Sequence, residues 1–594
     1  METVPQRLSA LCDLMRREHL GAFIITSSDP HGSEILPDYW QCRRWLSGFN
    51  GSAGTLVVTV HGTALWTDSR YYIAAAEQLA GTGIELMKEG LPNTPTLVQW
   101  ISTQLAYNDA TEVGIDGSSN SYQTVEMIRQ DLRKHGGFTL RTNFDPLTYL
   151  WKNRPALPSN KIMVYPEEMA GETVASKLLR IRRALRTLHA DGMLVTALDE
   201  IAWLLNLRGN DVACNPVFIS YLLISSTKTT VFVDTGKLTT EVNAHLQQYG
   251  IEIRPYEEVF SGLADYPEYN ILIDAPHTAF NLVKKIKAPE IVYEPSPVAI
   301  LKAIKNEKEI SNIRHAMLKD GIAMVKFLHW LGPAVEAGKE TELTISQKLN
   351  DLRTRQPLYK DNSFPTISAY RQHGAIVHYE PTEATDTPLK PESFLLMDSG
   401  AQYLDGTTDI TRTIPLGKLT DEERHVYTLV LKGNIQLSML QFPEGATGTQ
   451  IDAVARSAMW SEGMNYLHGT GHGVGMYLNV HEGPHQIRMN YNATPLKAGM
   501  VVTNEPGLYL PGRFGVRIEN TMLIKHGCET EFGRFLQMEP LTLCPIDTTP
   551  IDFSMLTPEE KQWLNAYHAT VCKQLSPFLQ EAEQQWLAKA TKPI

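Results

Sequence analysis

Two hydrophobic periods divide the chain. Ile310, Ile313, Met317, Met324 and Leu328 fall at helical spacing. Asn306 precedes them with Glu309 three positions on, the letters of a capping box, so the spacing predicts a helix starting there. Further along, the period drops to two. Residues 394–397 form an apolar run into Asp398, and a β-branched run after residue 499 ends in Glu505, where Pro506-Gly507 stops the strand. In residues 514–524, Val516 and Ile518 alternate with Arg517 and Glu519. A strand there turns the arginine and the glutamate to one face and the apolar pair to the other. Buried charges of that kind want charge partners on their own face.

The first 150 residues read differently. Residues 1–20 mix charged and apolar positions as an amphipathic helix does. Residues 22–26, 55–60 and 63–67 read as strands, the last two joined at His61-Gly62, and residues 68–70 lead into a helix. This is an α/β pattern with mixed sheet content. Residues 174–295 repeat it: FIIT at 23–26 is echoed by MLVT at 193–196, and Trp45 precedes Gly51 by the same step as Trp203 precedes Gly209. The strand ending Thr67-Asp68 is echoed by one ending Val233-Asp234. Neither copy gathers metal-ligand residue types. Residues 151–173, with Pro155, Pro158 and Pro166, read as a linker, and Pro295-Ser296-Pro297 marks a second break. The tail, 556–594, is rich in Trp, Leu, Glu and Gln and predicts one or two helices.

Composition narrows the class. At 594 residues the chain is too long for one core and implies roughly three or four domains. Its 43% hydrophobic and 20% charged residues are those of an ordinary globular protein. A net charge of −12 disfavours a nucleic-acid or anionic-membrane surface. Six cysteines, scattered without C-x-x-C spacing, argue against a disulfide framework or a thiolate zinc site and fit a reducing compartment. With neither a secretory signal nor a run of about 18 apolar residues, a cytoplasmic protein is expected.

The chemistry concentrates between Asp398 and Glu519. Turn residues Asp405-Gly406 predict a hairpin that brings Asp398 and Asp409 onto facing strands, where two carboxylates repel unless a proton or cation lies between them. Glycines 469, 471, 473 and 475 interleave with histidines in YLHGTGHGVGMYLNVHEGP, a backbone built for close approach rather than a helix. Taken singly, each residue has an ordinary reading as a solvated or turn position; their joint spacing points to a site. Four carboxylates with one imidazole make hard, oxygen-rich ligation suited to two divalent cations, manganese more than zinc. Two such cations about 3.5–4 Å apart can hold a bridging hydroxide and polarise a carbonyl, a hydrolase's equipment. HEGPH at 481–485 has the letters of a zincin motif, but that motif needs a helix and Gly483-Pro484 would break one. GTGHGVG fits neither nucleotide-loop spacing, and no G-x-S-x-G occurs. His61, His245 and His329 are read as structural hydrogen-bonders.

These segments resemble the metallopeptidase family that includes methionine aminopeptidase, prolidase and aminopeptidase P. They are most similar to its aminopeptidase P (Xaa-Pro aminopeptidase) branch in the long three-domain form. The family's ligand order Asp, Asp, His, Glu, Glu falls on Asp398, Asp409, His472, Glu505 and Glu519. The resemblance continues through SFPTIS (363–368), GAIVHYEP (374–381), NLRGNDVACNPVF (206–218) and FNGSAGT (49–55). It implies an α+β fold: a pita-bread catalytic domain at 301–545, preceded by two creatinase-like α/β N-terminal domains at 1–155 and 156–300, and followed by a helical extension at 546–594.

The resemblance also implies roles. Asp398 holds one metal, His472 and Glu505 the other, and Asp409 and Glu519 bridge, with Glu505 as general base. His378, His468 and His481 surround the scissile peptide, His481 moving protons or steadying the carbonyl. Tyr509 and His468 line a proline pocket, and Arg517 orients a metal carboxylate. The expected protein is a homodimer with two divalent metal ions, Mn²⁺ preferred, cleaving the first bond of peptides with proline second. Two alternatives remain: a prolidase restricted to Xaa-Pro dipeptides, which needs a closed cleft end, and a catalytically silent scaffold, which the intact ligand set argues against.

Overall fold

The structure, a computed structural model, describes residues 2–106 and 111–594. The chain forms two compact units, Met1–Pro166 with Glu172–Val298, and Glu167–Gly171 with Ala299–Ile594. The proline-rich stretch is therefore not slack linker throughout. Met163–Val164 pairs with Leu207–Arg208, and within the second unit Asn306 and Asn312 donate side-chain hydrogen bonds to the carbonyls of Ala170 and Met169.

The first unit holds two six-stranded sheets of one design. In the first, Leu20–Thr26 is central, antiparallel to Thr55–Thr59 and parallel to Glu112–Ile115. Thr63–Thr67 continues antiparallel and Ile84–Lys88 parallel on one side, while Thr139–Arg141 adds parallel on the other. In the second, Met193–Val195 takes the central place, antiparallel to Ser220–Ile224 and parallel to Asn270–Ile273. Thr229–Val233, Glu252–Arg254 and Glu290–Tyr293 then repeat the remaining pairings and directions. The echoes between the two sequence segments thus mark a repeated topology. The amphipathic start is the helix Val4–Arg17, with Leu8, Leu11, Leu14 and Met15 buried.

The long helix of the second unit is Glu307–Glu336, capped at Asn306 with Glu309 completing the box as the spacing predicts. Ile367–Tyr370, Phe394–Ser399 and Ile410–Pro415 form an antiparallel sheet. A second, six-stranded antiparallel sheet runs Gln441–Pro443, Gly533–Pro540, Asn520–Thr530, Val501–Asn504, Gly471–Gly473, Glu482–Ile487. Gly507–Leu510 and Phe514–Arg517 form a separate ribbon. The continuous strand expected over 514–524 is therefore broken. Its first half pairs with the ribbon and its second with the sheet, so the chain changes ladder at Ile518-Glu519. The strand before it changes in the same way at Glu505-Pro506.

A core of Phe394, Val430, Val516, Ile518, Leu564, Val571 and Leu575 lies under these ladders. Each such side chain, fully buried, stabilises by about 1.5–3 kcal/mol. The tail contributes to it through two helices, Pro558–Leu575 and Glu581–Ala590. Among the described residues, no helix is long and apolar enough to cross a membrane.

Candidate metal centre

Each chemistry-bearing side chain sits where a strand ends, bulges or changes partner. Asp398 is the penultimate residue of its strand, opposite Thr411, and Asp409 immediately precedes Ile410 on the facing strand. Glu505 and Glu519 occupy the two ladder changes, where the N–H of each leaves its ladder and donates instead to the carbonyl of Thr470 or Thr411. Arg517 and Glu519 keep one face across the break, while Val516 and Ile518 enter the apolar core. His472 stands in Gly471–Gly473, beside a register shift. A Cβ on Gly471 would lie 2.0 Å from the Thr503 carbonyl, and one on Gly473 2.2 Å from the Glu482 carbonyl. Only glycine permits that approach, which seats His472 between its neighbours.

The geometry follows. Donor atoms of Asp409, His472 and Glu519 lie within 4.8 Å of one another. His472 Nε2 is 3.3 Å from Asp409 Oδ2 and 3.5 Å from Glu505 Oε1. His472 Nδ1 lies 2.9 Å from the Gly473 carbonyl, which can only accept, so Nδ1 carries a proton and Nε2 is the nitrogen turned toward the carboxylates. Arg517 Nη2 donates to Asp398 Oδ2 at 2.7 Å, and Thr411 Oγ1 to Glu519 Oε2 at 2.7 Å. Asp398 Oδ1 and Glu519 Oε1 are buried with no hydrogen-bond partner among the described residues.

Electrostatics say what would satisfy those oxygens. Burial raises the carboxyls of Asp398 and Glu505 despite the opposing cations Arg517 and His472, and raises Glu519 well above the usual range, with Asp409 and Glu505 adding repulsion. Burial opposes charge on His472 too, but its hydrogen bond with Asp409 and the charge of Glu505 push it up to about 9. The cluster disfavours carrying its full negative charge alone. Divalent cations would supply the compensation, and an oxygen-rich set with one imidazole and two orphaned carboxylate oxygens fits them.

A directed hydrogen-bond chain leaves the centre. Arg517 Nη1 donates to the Tyr509 hydroxyl at 2.7 Å, which donates to His468 Nε2 at 2.8 Å, while His468 Nδ1 bonds the Gly469 carbonyl at 2.7 Å. Burial pushes the Tyr509 phenol up to about 12, so it stays a donor. His481 is exposed, its ring 4.3 Å from that of His472 and near-perpendicular to it. His378 is half-buried in the turn after Arg371–Ala375, a segment whose Gly374 lies so close to Gly515 that a Cβ on Gly515 would come within 1.7 Å of the Gly374 carbonyl.

All of HEGPH but His481, which immediately precedes it, lies in the strand Glu482–Ile487. Glu482 is engaged by Lys302 at 2.7 Å and by Lys305, and buried His485 donates Nε2–H to the Val501 carbonyl at 2.8 Å. Neither faces a zincin site. Sequence reasoning missed Thr411 and Thr503, which brace Glu519 and the His472 amide. Period two from Asp409 to Thr411, and from Thr503 to Glu505, was the available signal. It also missed Arg456, buried with Asp452 one turn away, whose Nη2 holds the His468 carbonyl at 2.9 Å.

Comparison with known proteins follows the same lines. Residues 311–526 match the model for metallopeptidase family M24, and 534–594 that for the C-terminal region of that peptidase. Residues 7–144 and 153–309 each match a creatinase/prolidase N-terminal domain. Aminopeptidase P2 of Arabidopsis thaliana is 39% identical over all of this chain and 89% of its own length. The crystal structure of X-prolyl aminopeptidase from Caenorhabditis elegans, described as a cytosolic enzyme with a di-nuclear active site, superposes with a TM-score of 0.96 at 35% identity, covering both chains fully. An Xaa-Pro dipeptidase from Bacillus anthracis covers 63% of this chain and 99% of its own, with TM-score 0.51 at 25% identity. The fold is α+β, a pita-bread unit preceded by creatinase-type modules.

Proposed function

This chain belongs to metallopeptidase family M24, and from that premise we propose that it is a dinuclear aminopeptidase hydrolysing the N-terminal Xaa-Pro bond of peptides. The observation that carries the reading is the convergence of Asp409, His472 and Glu519, with Asp398 and Glu505 in the same electrostatic cluster. Asp398, Asp409, His472, Glu505 and Glu519 would hold two divalent metals, with Asp409 and Glu519 shared. Bound there, the cations supply Lewis acidity and a water of lowered pKa; we favour manganese because the donors are mostly hard carboxylate oxygens.

The chain's own residues do the rest. Glu505, braced by Thr503 Oγ1 at 3.3 Å, is the base that takes the proton from the attacking water. Arg517 fixes the Asp398 carboxylate so that its other oxygen faces inward. His481, at the exposed edge of His472, steadies the scissile carbonyl or passes the proton to the leaving proline nitrogen. His378 completes the substrate-facing histidines, and His468 with Tyr509 forms one wall of the proline pocket. Among the described residues no disulfide joins any of the six cysteines, which supports a reducing, cytoplasmic setting.

Protein stripped with a chelator and reloaded with Mn²⁺, Co²⁺ or Zn²⁺ tests this against Xaa-Pro-Yaa tripeptides and Xaa-Pro dipeptides. We expect two metals per chain at full activity, highest with Mn²⁺, and tripeptide cleavage. Turnover of dipeptides alone would make it a prolidase.

A further inference from the structure

We propose that Tyr567, on the C-terminal helix Pro558–Leu575, is a positioning residue for the metal centre, acting through Arg412 on the peptide that carries Glu519. The inference rests on the reading of Glu519 as a metal ligand.

Glu519 lies in a ladder change, so strand pairing does not place it. Other contacts do. Its N–H donates to the Thr411 carbonyl at 3.1 Å, its Oε2 accepts from Thr411 Oγ1 at 2.7 Å, and its carbonyl accepts from Arg412 Nη1 at 2.6 Å. The carboxylate's direction therefore depends on where Arg412 holds that peptide.

Arg412 is buried, and its six acceptors among the described residues are all neutral oxygens: the carbonyls of Thr411, Glu519, Cys544 and Pro545, the Asn520 amide oxygen, and the Tyr567 hydroxyl. A buried guanidinium without a contacting carboxylate is held in place by its acceptors. Tyr567 organises that set. Its hydroxyl accepts from Arg412 Nη2 at 3.0 Å and lies 2.8 Å from the Cys544 carbonyl and 3.0 Å from the Thr542 carbonyl, oxygens to which it can donate. It also lies 3.3 Å from Asn520 Oδ1, on the residue next to Glu519. The ring stacks on Trp563, 5.4 Å between centroids, which fixes where the hydroxyl points.

The same helix has an apolar route to the ligand strand: Leu564, Val571 and Leu575 share a core with Val516 and Ile518. Two substitutions separate the routes. Tyr567→Phe keeps the ring and removes the hydroxyl; Val571→Ala loosens the core and leaves the polar link intact.

The readout is metal affinity, measured by competing Mn²⁺ against a chromophoric chelator, with Tm recorded for each variant. Tyr567→Phe should weaken binding of at least one Mn²⁺ by about 10-fold, the lower end of the range for residues that orient metal ligands. Val571→Ala should lower Tm at least as much while leaving Mn²⁺ affinity within about twofold of wild type, an effect confined to packing. Wild-type affinity in Tyr567→Phe, or equal weakening in Val571→Ala, overturns the proposal. Glu519→Gln is run alongside. If it loses metal while Tyr567→Phe does not, only the positioning role falls; if it binds both metals normally, the ligand reading falls and the proposal with it. A second measurement needs no variant. Because coupling is reciprocal, Mn²⁺ should slow amide exchange in residues 558–575 of the wild type more than in the helix Val4–Arg17, and an equal response in both overturns the proposal.

Discussion

His481 and His485 lie four residues apart in one segment yet answer to different surroundings. His481 is exposed with its ring at the edge of His472, whereas His485 is fully buried against the Val501 carbonyl and Gly473. Burial pulls the His485 imidazole down to about 4, so it is a neutral structural donor. His481→Ala should therefore keep both metals and lower kcat by about two to four orders of magnitude, the range for losing a proton-transfer group. His485→Ala should also keep both metals, retain most activity, and destabilise by about 0.5–1.5 kcal/mol for the lost bond to the Val501 carbonyl, which keeps the Val474 N–H. Metal analysis of the two proteins side by side checks this; release of metal by both would restore the zincin reading.

At the scale of elements, the C-terminal helix is bound to the ladders it covers. His568 Nε2 accepts the Ile546 N–H at 3.1 Å, and burial together with the Arg412 charge pulls the imidazole down to about 4. The unfolded chain takes up a proton near the ordinary value of 6.5 while the folded one does not. The stability this group contributes is thus present above about pH 6.5 and drains away as pH falls toward 4, amounting to about 2 kcal/mol by pH 5. His568→Gln keeps an acceptor for Ile546 and removes the titration, so its Tm should fall less than that of wild type between pH 7.5 and 5. Parallel Tm curves for the two proteins would contradict this. How far such elements can be read in advance depends on range. The capping box at Asn306 and the alternation of Arg517 with Val516 are local, and both stand in the structure as the spacing predicts. Pro506-Gly507 marks the stop at Glu505, but the ladder change at Glu519 could not be read, because strand character is continuous through it and only the pairing partners differ. Nor could Tyr567 be linked to Arg412, 155 residues away, since nothing local in either segment records the contact.

At the scale of the whole molecule, the question is what a site open to a free amine and a proline ring selects. Proline lacks an N–H, so a pocket made for it needs shape and apolar contact at that nitrogen rather than a hydrogen-bond acceptor. Tyr509 and His468, proposed as a wall of that pocket, are hydrogen-bonded to each other, so those polar groups are already engaged. Replacing the second residue of a tripeptide by alanine removes ring methylenes, a loss of about 1–3 kcal/mol, or 10- to 200-fold in kcat/KM. It also adds an N–H that, buried without a partner, costs about 1–3 kcal/mol more. Xaa-Pro-Yaa should thus exceed Xaa-Ala-Yaa by at least about two orders of magnitude in kcat/KM, near the low end of the combined range. N-acetyl-Xaa-Pro-Yaa should not be cleaved, because acetylation removes the charged amine an exopeptidase recognises at a carboxylate-rich centre. Steady-state kinetics on the three peptides decide the matter. Similar rates with proline and alanine would make the protein a general aminopeptidase, and cleavage of the acetylated peptide would show that the amine is not read at all.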